Sequence, residues 1–269
     1  WRDQNREDWQ DHREDQWEYR SDRADEVWDN ACDFYDDCFD DRWWGTVGWG
    51  SGVVIIRPHP VNPWWWWTWA NWTTVGVFVQ SIPAEPYYID YGGQVIFEGD
   101  TVYLGEAEVP AAEYSEVAVQ LATDVESQPP PMPPEEGKPA EWLPLGVFAL
   151  AQEEKGSPIL IFQLSVNREG VISGGYTSTI TDDQRPVTGQ VDKATQRVAW
   201  RIGENRETIF ATSLANLTRD VSPVAIHFGL SGTQTWLLVR MPEQGSATQA
   251  AKLPEISSTP PPLATAKAK

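Results

Sequence analysis

The 269-residue chain carries 40 Asp and Glu against 20 Lys and Arg, a formal net charge of −20 at pH 7, and its pI lies near 4.4. That balance argues against nucleic acid or an anionic membrane surface as partner. Two cysteines exclude a disulfide-framework protein, and no apolar run is long enough to read as a membrane-inserted helix.

The front quarter differs from the rest. Residues 1–45 hold sixteen Asp and Glu against six Arg, and thirteen of the sixteen tryptophans fall within residues 1–72. The chain begins at Trp1 rather than Met, which fits an N-terminus removed with a signal peptide. A secreted or cell-surface protein is expected on that ground and from the abundance of Trp, Thr, Gly and Pro. Over residues 1–44, Trp17, Ser21, Ala24, Trp28, Ala31, Tyr35 and Cys38 step by four and three, the spacing of one helix face. This acidic, Trp-studded arm docks on its own body, meets another subunit, or orders only on binding.

Residues 45–127 form a second segment. Gly45, Gly48, Gly50 and Gly52 end the helix, and Val53–Ile56 reads as a short strand. After Pro63, the residues Trp64, Trp65, Trp66, Trp67, Trp69 and Trp72 place six indoles within nine positions. Each ring can bury roughly 150–250 Å², so the run needs a large apolar partner. It either staples the N-terminal region to the body or anchors a contact between copies, where Trp is enriched. Together with Trp17 and Trp28, these six are the expected self-association residues. Val75–Gln80 reads as a strand and Tyr87–Tyr91 as extended chain. Gln94–Glu98 and Thr101–Leu104 flank Gly99-Asp100 as a hairpin. Pro110 is placed to start a helix over 110–126, with Tyr114, Val117, Ala118, Leu121 and Val125 on its apolar face.

Residues 128–141, with Pro129-Pro130-Pro131, Pro133-Pro134 and Pro139, read as a semi-rigid linker. Residues 142–242 carry eight strand-like runs: Leu145–Gln152, Pro158–Asn167, Val171–Ile180, Pro186–Val191, Arg197–Ile202, Thr208–Ala215, Val224–Phe228 and Thr235–Met241. The expected fold is mainly β: an eight-stranded antiparallel up-and-down barrel or a sandwich, preceded by the acidic helix and a small hairpin-and-helix module. Residues 243–269, rich in Ala, Thr, Pro, Lys and Ser, read as a tail that cannot build its own core.

Catalytic chemistry finds little support. His12 lies in the charged arm, His59 sits between two prolines, and His227 falls in an apolar strand as a core or barrel-facing residue. None has triad or metal-pair spacing, so no enzyme and no cofactor are expected. Asp29, Asp33, Asp36, Asp37, Asp40 and Asp41 could attract Ca²⁺, but without the Asp-x-Asp-x-Asp-Gly loop selective binding is unsupported, and a solvated acidic face is the expectation. Cys32 and Cys38 are disulfide candidates. In an unbroken helix they would stand about 9 Å apart along the axis, too far to pair. Either a break there lets a local bridge close, or each pairs with another chain, or both stay reduced. Asn71-Trp72-Thr73 and Asn216-Leu217-Thr218 match the glycosylation sequon, expected by chance.

Two resemblances enter on longer stretches. Tyr87–Gly92, Val95–Tyr103, Trp142–Ala149 and Val191–Arg197, with the Trp/Asp/Arg-rich leader, resemble a family of surface proteins from planctomycete bacteria labelled "mu-protocadherin-like". That resemblance implies an exported protein without a well-defined activity. It does not imply calcium-dependent adhesion, because the acidic linker motifs of cadherin repeats are missing. Gly170–Ser178, Val187–Asp192 and Thr235–Val239 are more loosely similar to strands of avidin-type barrels, although the polar set that grips biotin is not recognisable. The function expected is therefore a structural, self-associating protein, the subunit of a filament or layer, with arm, Trp run and tail as contacts. The alternative is a secreted small-ligand binder whose barrel interior uses Phe162, Tyr176, Trp200 and Trp236.

Overall fold

The computed structural model describes residues 15–28, 47–49, 52–54, 70–105, 107–126, 140–153, 158, 160–178, 180–181, 183–229 and 232–241. Residues 15–28 form helix α1. Strands β1 (Val47–Trp49) and β2 (Gly52–Val54) pair antiparallel. Helix α2 spans Trp72–Phe78. A three-stranded sheet follows, β3 (Val95–Glu98), β4 (Thr101–Leu104) and β5 (Ala107–Pro110), and runs directly into helix α3 (Ala111–Thr123). Eight further strands are β6 (Trp142–Gln152), β7 (Leu160–Asn167), β8 (Val171–Ser178), β9 (Gln184–Val191), β10 (Arg197–Ile202), β11 (Thr208–Ser213), β12 (Val221–Phe228) and β13 (Thr233–Arg240).

Each of these eight pairs antiparallel with its sequence neighbour, and β13 pairs with β6, so the sheet closes into an up-and-down barrel. The eight runs read from hydrophobic alternation are these eight strands. Alternation divides each strand between two faces. Phe148, Leu150, Phe162, Leu164, Ile172, Val187, Val198, Trp200, Phe210, Val224, Ile226 and Leu238 form the interior. The Phe162 ring meets Phe210 edge-on at 5.1 Å and Trp200 at 5.9 Å, and Trp200 stacks on Phe210 at 5.8 Å. Room for the indole comes from Gly189, the partner of Trp200 across β9 and β10. A Cβ there would stand 2.1 Å from the Ala199 carbonyl oxygen, so only glycine lets the two strands approach this closely.

One barrel end is plugged by α2. The sequence reading expected a strand over Val75–Gln80, and the structure corrects this to helix. The Asn71 side chain accepts the Thr74 amide as N-cap, outweighing the β-branched composition. Val75 and Val79, one turn apart, then enter the interior cluster. Arg168, in the β7–β8 turn, lies 4.8 Å from the Phe78 ring centroid and fixes the plug to the rim.

The outer wall is covered as well. Helix α3 packs Ala118 and Ala122 on Ala199, Ile209 and Ala211. The small sheet gathers Ile89, Tyr91, Val95, Val102, Leu104 and Tyr114 around Ala225. Helix α1 lays Trp17, Ala24 and Val27 over Val147, Ala149, Ala151, Leu237 and Val239. Alanine recurs on the wall because a helix or sheet can seat closely only over short side chains. The hairpin expected at Gly99-Asp100 and the helix begun by Pro110 are both present, while β5 is an addition that alternation did not signal. Of the proline-rich linker only residues 140–141 are among those described, and the 243–269 tail lies outside them.

Candidate functional site: the arm seam and the barrel interior

Helix α1 is held by charge as much as by apolar area. Sequence periodicity put Trp17, Ser21, Ala24 and Trp28 on its inner face. Trp17 and Ala24 are buried there and Trp28 packs at the edge, but Ser21 is exposed, and Arg20 and Arg23 are buried instead. Arg20 is 2% exposed. Its Nη1 donates to Asp90 Oδ1 and its Nε to Glu153 Oε1, both at 2.7 Å, while Nη2 donates to the Tyr91 carbonyl at 2.6 Å. One guanidinium thus ties the arm to the module before β3 and to the end of β6, using the fork geometry that suits Arg to such a task. Arg23 Nε donates to the Gln152 carbonyl, and the Trp28 indole donates to the Arg240 carbonyl at 2.7 Å. Arg219 lies 4.4 Å from the Trp17 ring centroid and 5.0 Å from that of Tyr88. Burial holds its pKa below the usual arginine value.

Beneath the small sheet lies a second polar cluster. His227 sits on the outer face of β12, in register with Ile209 and Thr233, so it is a core histidine and does not face the barrel interior. Its Nδ1 shares a 2.8 Å hydrogen bond with Thr233 Oγ1, and its Nε2 is buried without a hydrogen-bond partner among the described residues. Phe97 and Tyr114 close over the ring at 6.1 and 6.4 Å, and Arg197 lies 4.2 Å from the Tyr114 ring centroid. Burial first, and the Arg197 charge second, lower the His227 pKa to about 4. A neutral imidazole at physiological pH is the result. Burial likewise pushes the Tyr87 and Tyr91 hydroxyls well above the usual tyrosine range.

At the barrel end plugged by α2, Arg240 points inward opposite Phe148. Its Nη1 donates to the Leu145 carbonyl, Nη2 to the Leu217 carbonyl and Nε to the Arg219 carbonyl, at 2.5, 2.5 and 3.2 Å. The bulge between Pro144 and Gly146 opens the space. Gly146 has φ +131°, and a Cβ there would stand 2.4 Å from Arg240 Nη1. Burial lowers the Arg240 pKa to about 10, so the guanidinium remains charged at neutral pH.

The four residues expected to line a ligand chamber divide into two pairs. Phe162 and Trp200 are fully buried in the packed middle of the barrel. Tyr176 and Trp236 are half-buried, towards the end carrying the β8–β9 and β12–β13 connections. Phe162 and Tyr176 are 6.2 Å apart, and Trp236 donates its indole N–H to Gln234. No family model, curated protein or solved structure matches this chain. Its chemistry is therefore read from its own side chains. Among the described residues no group of three or more His, Cys, Asp or Glu could hold a metal ion, and no helix is long and apolar enough to cross a membrane.

Of the expected self-association residues, Trp17 and Trp28 engage the barrel wall of their own chain, and Trp72 packs at the plug with its indole donating to the Ala84 carbonyl. Trp64, Trp65, Trp66, Trp67 and Trp69 lie outside the described residues, as do Cys32, Cys38 and the Asp29–Asp41 acidic patch. The residues that organise the seam, Arg20, Asp90, Glu153, Arg219 and Arg240, were not singled out from the sequence. Their only signal was the placement of Arg20 and Arg23 beside an apolar helix face. In so acidic a chain that reads as ordinary surface charge.

Proposed function

We propose that this chain is a non-enzymatic structural protein of the cell exterior that associates with copies of itself. In this reading the barrel is a rigid body, and the Trp-rich front segment and the tail carry the contacts between bodies. One observation supports it most: the barrel's middle is occupied by the close-packed rings of Phe162, Trp200 and Phe210, the construction of a core and not of a chamber. Placement outside the cell rests on the surface-protein resemblance and on composition. Absolute mass by light scattering, with and without reductant, together with negative-stain images of the same fractions, tests the proposal. Large or open-ended particles are expected, and their dissolution by reductant would assign Cys32 and Cys38 to bonds between copies. A 30.3 kDa monomer under both conditions would overturn it.

A second reading draws on a specific observation. Tyr176 and Trp236 stand half-buried towards the end away from α2, and the Trp200 Nε1 donor inside the barrel is buried without a hydrogen-bond partner among the described residues. A small apolar ligand bearing one acceptor would suit that arrangement. Saturable quenching of tryptophan fluorescence, abolished in Trp236→Ala, would support this alternative over the first.

A further inference from the structure

We infer that a chloride-like monovalent anion binds between residues 87–91, α3 and the start of β10, held by the Arg197 guanidinium and the hydroxyls of Tyr87 and Tyr91. Such a site adds a ligand to the outer wall of the barrel and does not depend on self-association. It begins with an unbalanced charge. Arg197 is 5% exposed. No carboxylate among the described residues forms an ion pair with it, whereas Arg20, Arg23, Arg185 and Arg201 each have one. Its guanidinium makes one hydrogen bond, from Nη2 to the Tyr114 carbonyl at 3.4 Å, and lies over the Tyr114 ring, 4.2 Å from the centroid. Arg240, also buried, is met by three carbonyls; Arg197 has no comparable shell. A buried cation so thinly compensated is costly until an opposite charge joins it.

The groups beside Arg197 are donors as well. The Tyr87 and Tyr91 hydroxyls are buried without hydrogen-bond partners among the described residues. Burial, then the neighbouring Tyr114, raises the pKa of both and outweighs the Arg197 charge, so both keep their protons at physiological pH. Each is an O–H in need of an acceptor. Asp90, the acid whose charge reaches Tyr87, is already paired with Arg20 at 2.7 Å. Gln196 holds Tyr87 beside Arg197: its Oε1 accepts the Tyr87 amide and its Nε2 donates to the Glu85 carbonyl, both at 2.7 Å. Tyr91 stacks on Phe97 at 5.9 Å, and Phe97 meets Tyr114 edge-on at 5.6 Å. A guanidinium and protonated hydroxyls without a charged acceptor favour an anion. One cation balances one charge, so phosphate or sulfate would bring in more than the site can offset. Nη2 is already turned to the Tyr114 carbonyl, which spends part of the fork that selects carboxylates, whereas a spherical ion accepts donors from any direction.

The test is urea unfolding of the full-length protein, dialysed free of chloride, in mixtures of sodium chloride and sodium gluconate at constant ionic strength. An ion bound only by the folded chain lowers the unfolding constant, and once the site is filled each tenfold rise in chloride lowers it about tenfold, the mark of one site. Tyr87→Phe keeps the ring and removes one donor to the ion, so the same curve should need about ten times more chloride. Arg197→Gln should lose the chloride dependence altogether; if that variant does not fold, Tyr87→Phe decides alone. Equal midpoints in chloride and gluconate would overturn the site and leave its donors to water. A chloride dependence that Tyr87→Phe leaves in place would overturn it too, by putting the ion elsewhere.

Discussion

Replacing Arg240 by Met tests whether a buried cation organises the plugged end of the barrel. The side chain is 1% exposed, and its three donor nitrogens bond the carbonyls of Leu145, Leu217 and Arg219. Methionine follows the arginine stem only as far as Nε, so it keeps an apolar stem, loses the guanidinium carbon that lies 4.8 Å from the Phe148 ring centroid, and donates nothing. Each abandoned buried carbonyl costs about 1–3 kcal/mol, so three set a gross loss of about 3–9 kcal/mol. Taking about 2 kcal/mol for each of the three carbonyls, less the several kcal/mol returned by no longer burying a guanidinium, leaves a net loss of about 2–3 kcal/mol. The assay is urea unfolding followed by tryptophan fluorescence, with the midpoint compared at constant slope. Replacement of buried ionic groups by apolar ones is often neutral or stabilising when both partners leave together; here the acceptors are backbone and stay behind. A midpoint equal to or above that of the parent chain would show that the carbonyls find other donors and that the guanidinium is dispensable.

Two more expectations follow from the same construction. The folded pKa of His227, about 4, lies below the unfolded value of 6.5, so the unfolded chain binds the extra proton first. Stability is then fully present above pH 6.5 and lost as pH falls towards 4, by about 3 kcal/mol in total. In His227→Leu, urea midpoints measured across this window should show a flatter slope, and an unchanged slope would place the titration elsewhere. Gly189→Ala drives a Cβ to 2.1 Å from the Ala199 carbonyl oxygen. Backbone cannot yield as a flexible side chain can, so a loss of about 3 kcal/mol or more is expected, visible as a lower thermal midpoint; an unchanged midpoint would contradict the close strand approach.

The barrel was legible because alternation is a repeated signal: Ile161, Gln163 and Ser165 against Phe162, Leu164 and Val166 reads the same way in strand after strand. The wall blurred it in places, since Ala149, Ala151, Ala199 and Ala211 are apolar and buried on the outside as well. Helix α2 was misread because Val75, Val77 and Val79 favour a strand locally, while the deciding contacts are one cap at Asn71 and the distant interior it enters. The seam was the least legible part. Arg20 and Asp90 are seventy positions apart, and nothing in the composition distinguishes a buried arginine from the charged residues around it. The inward turn of Arg240 depends on a one-residue bulge in another strand, which no window around residue 240 contains.

The wall under α1 is built mainly from β6 and β13, the first and last strands of the barrel, with Ile161 of β7, Val221 of β12 and Met241 at its margins. Those two strands lie side by side only when the sheet closes on itself, so this part of the seat is complete only in the closed barrel. An unfinished barrel therefore offers α1 only part of its seat, the anchors at Asp90, Tyr91 and Glu153 without Leu237, Val239 and the Arg240 carbonyl. The arm is fully seated only on a chain complete through residue 240 and closed into its barrel.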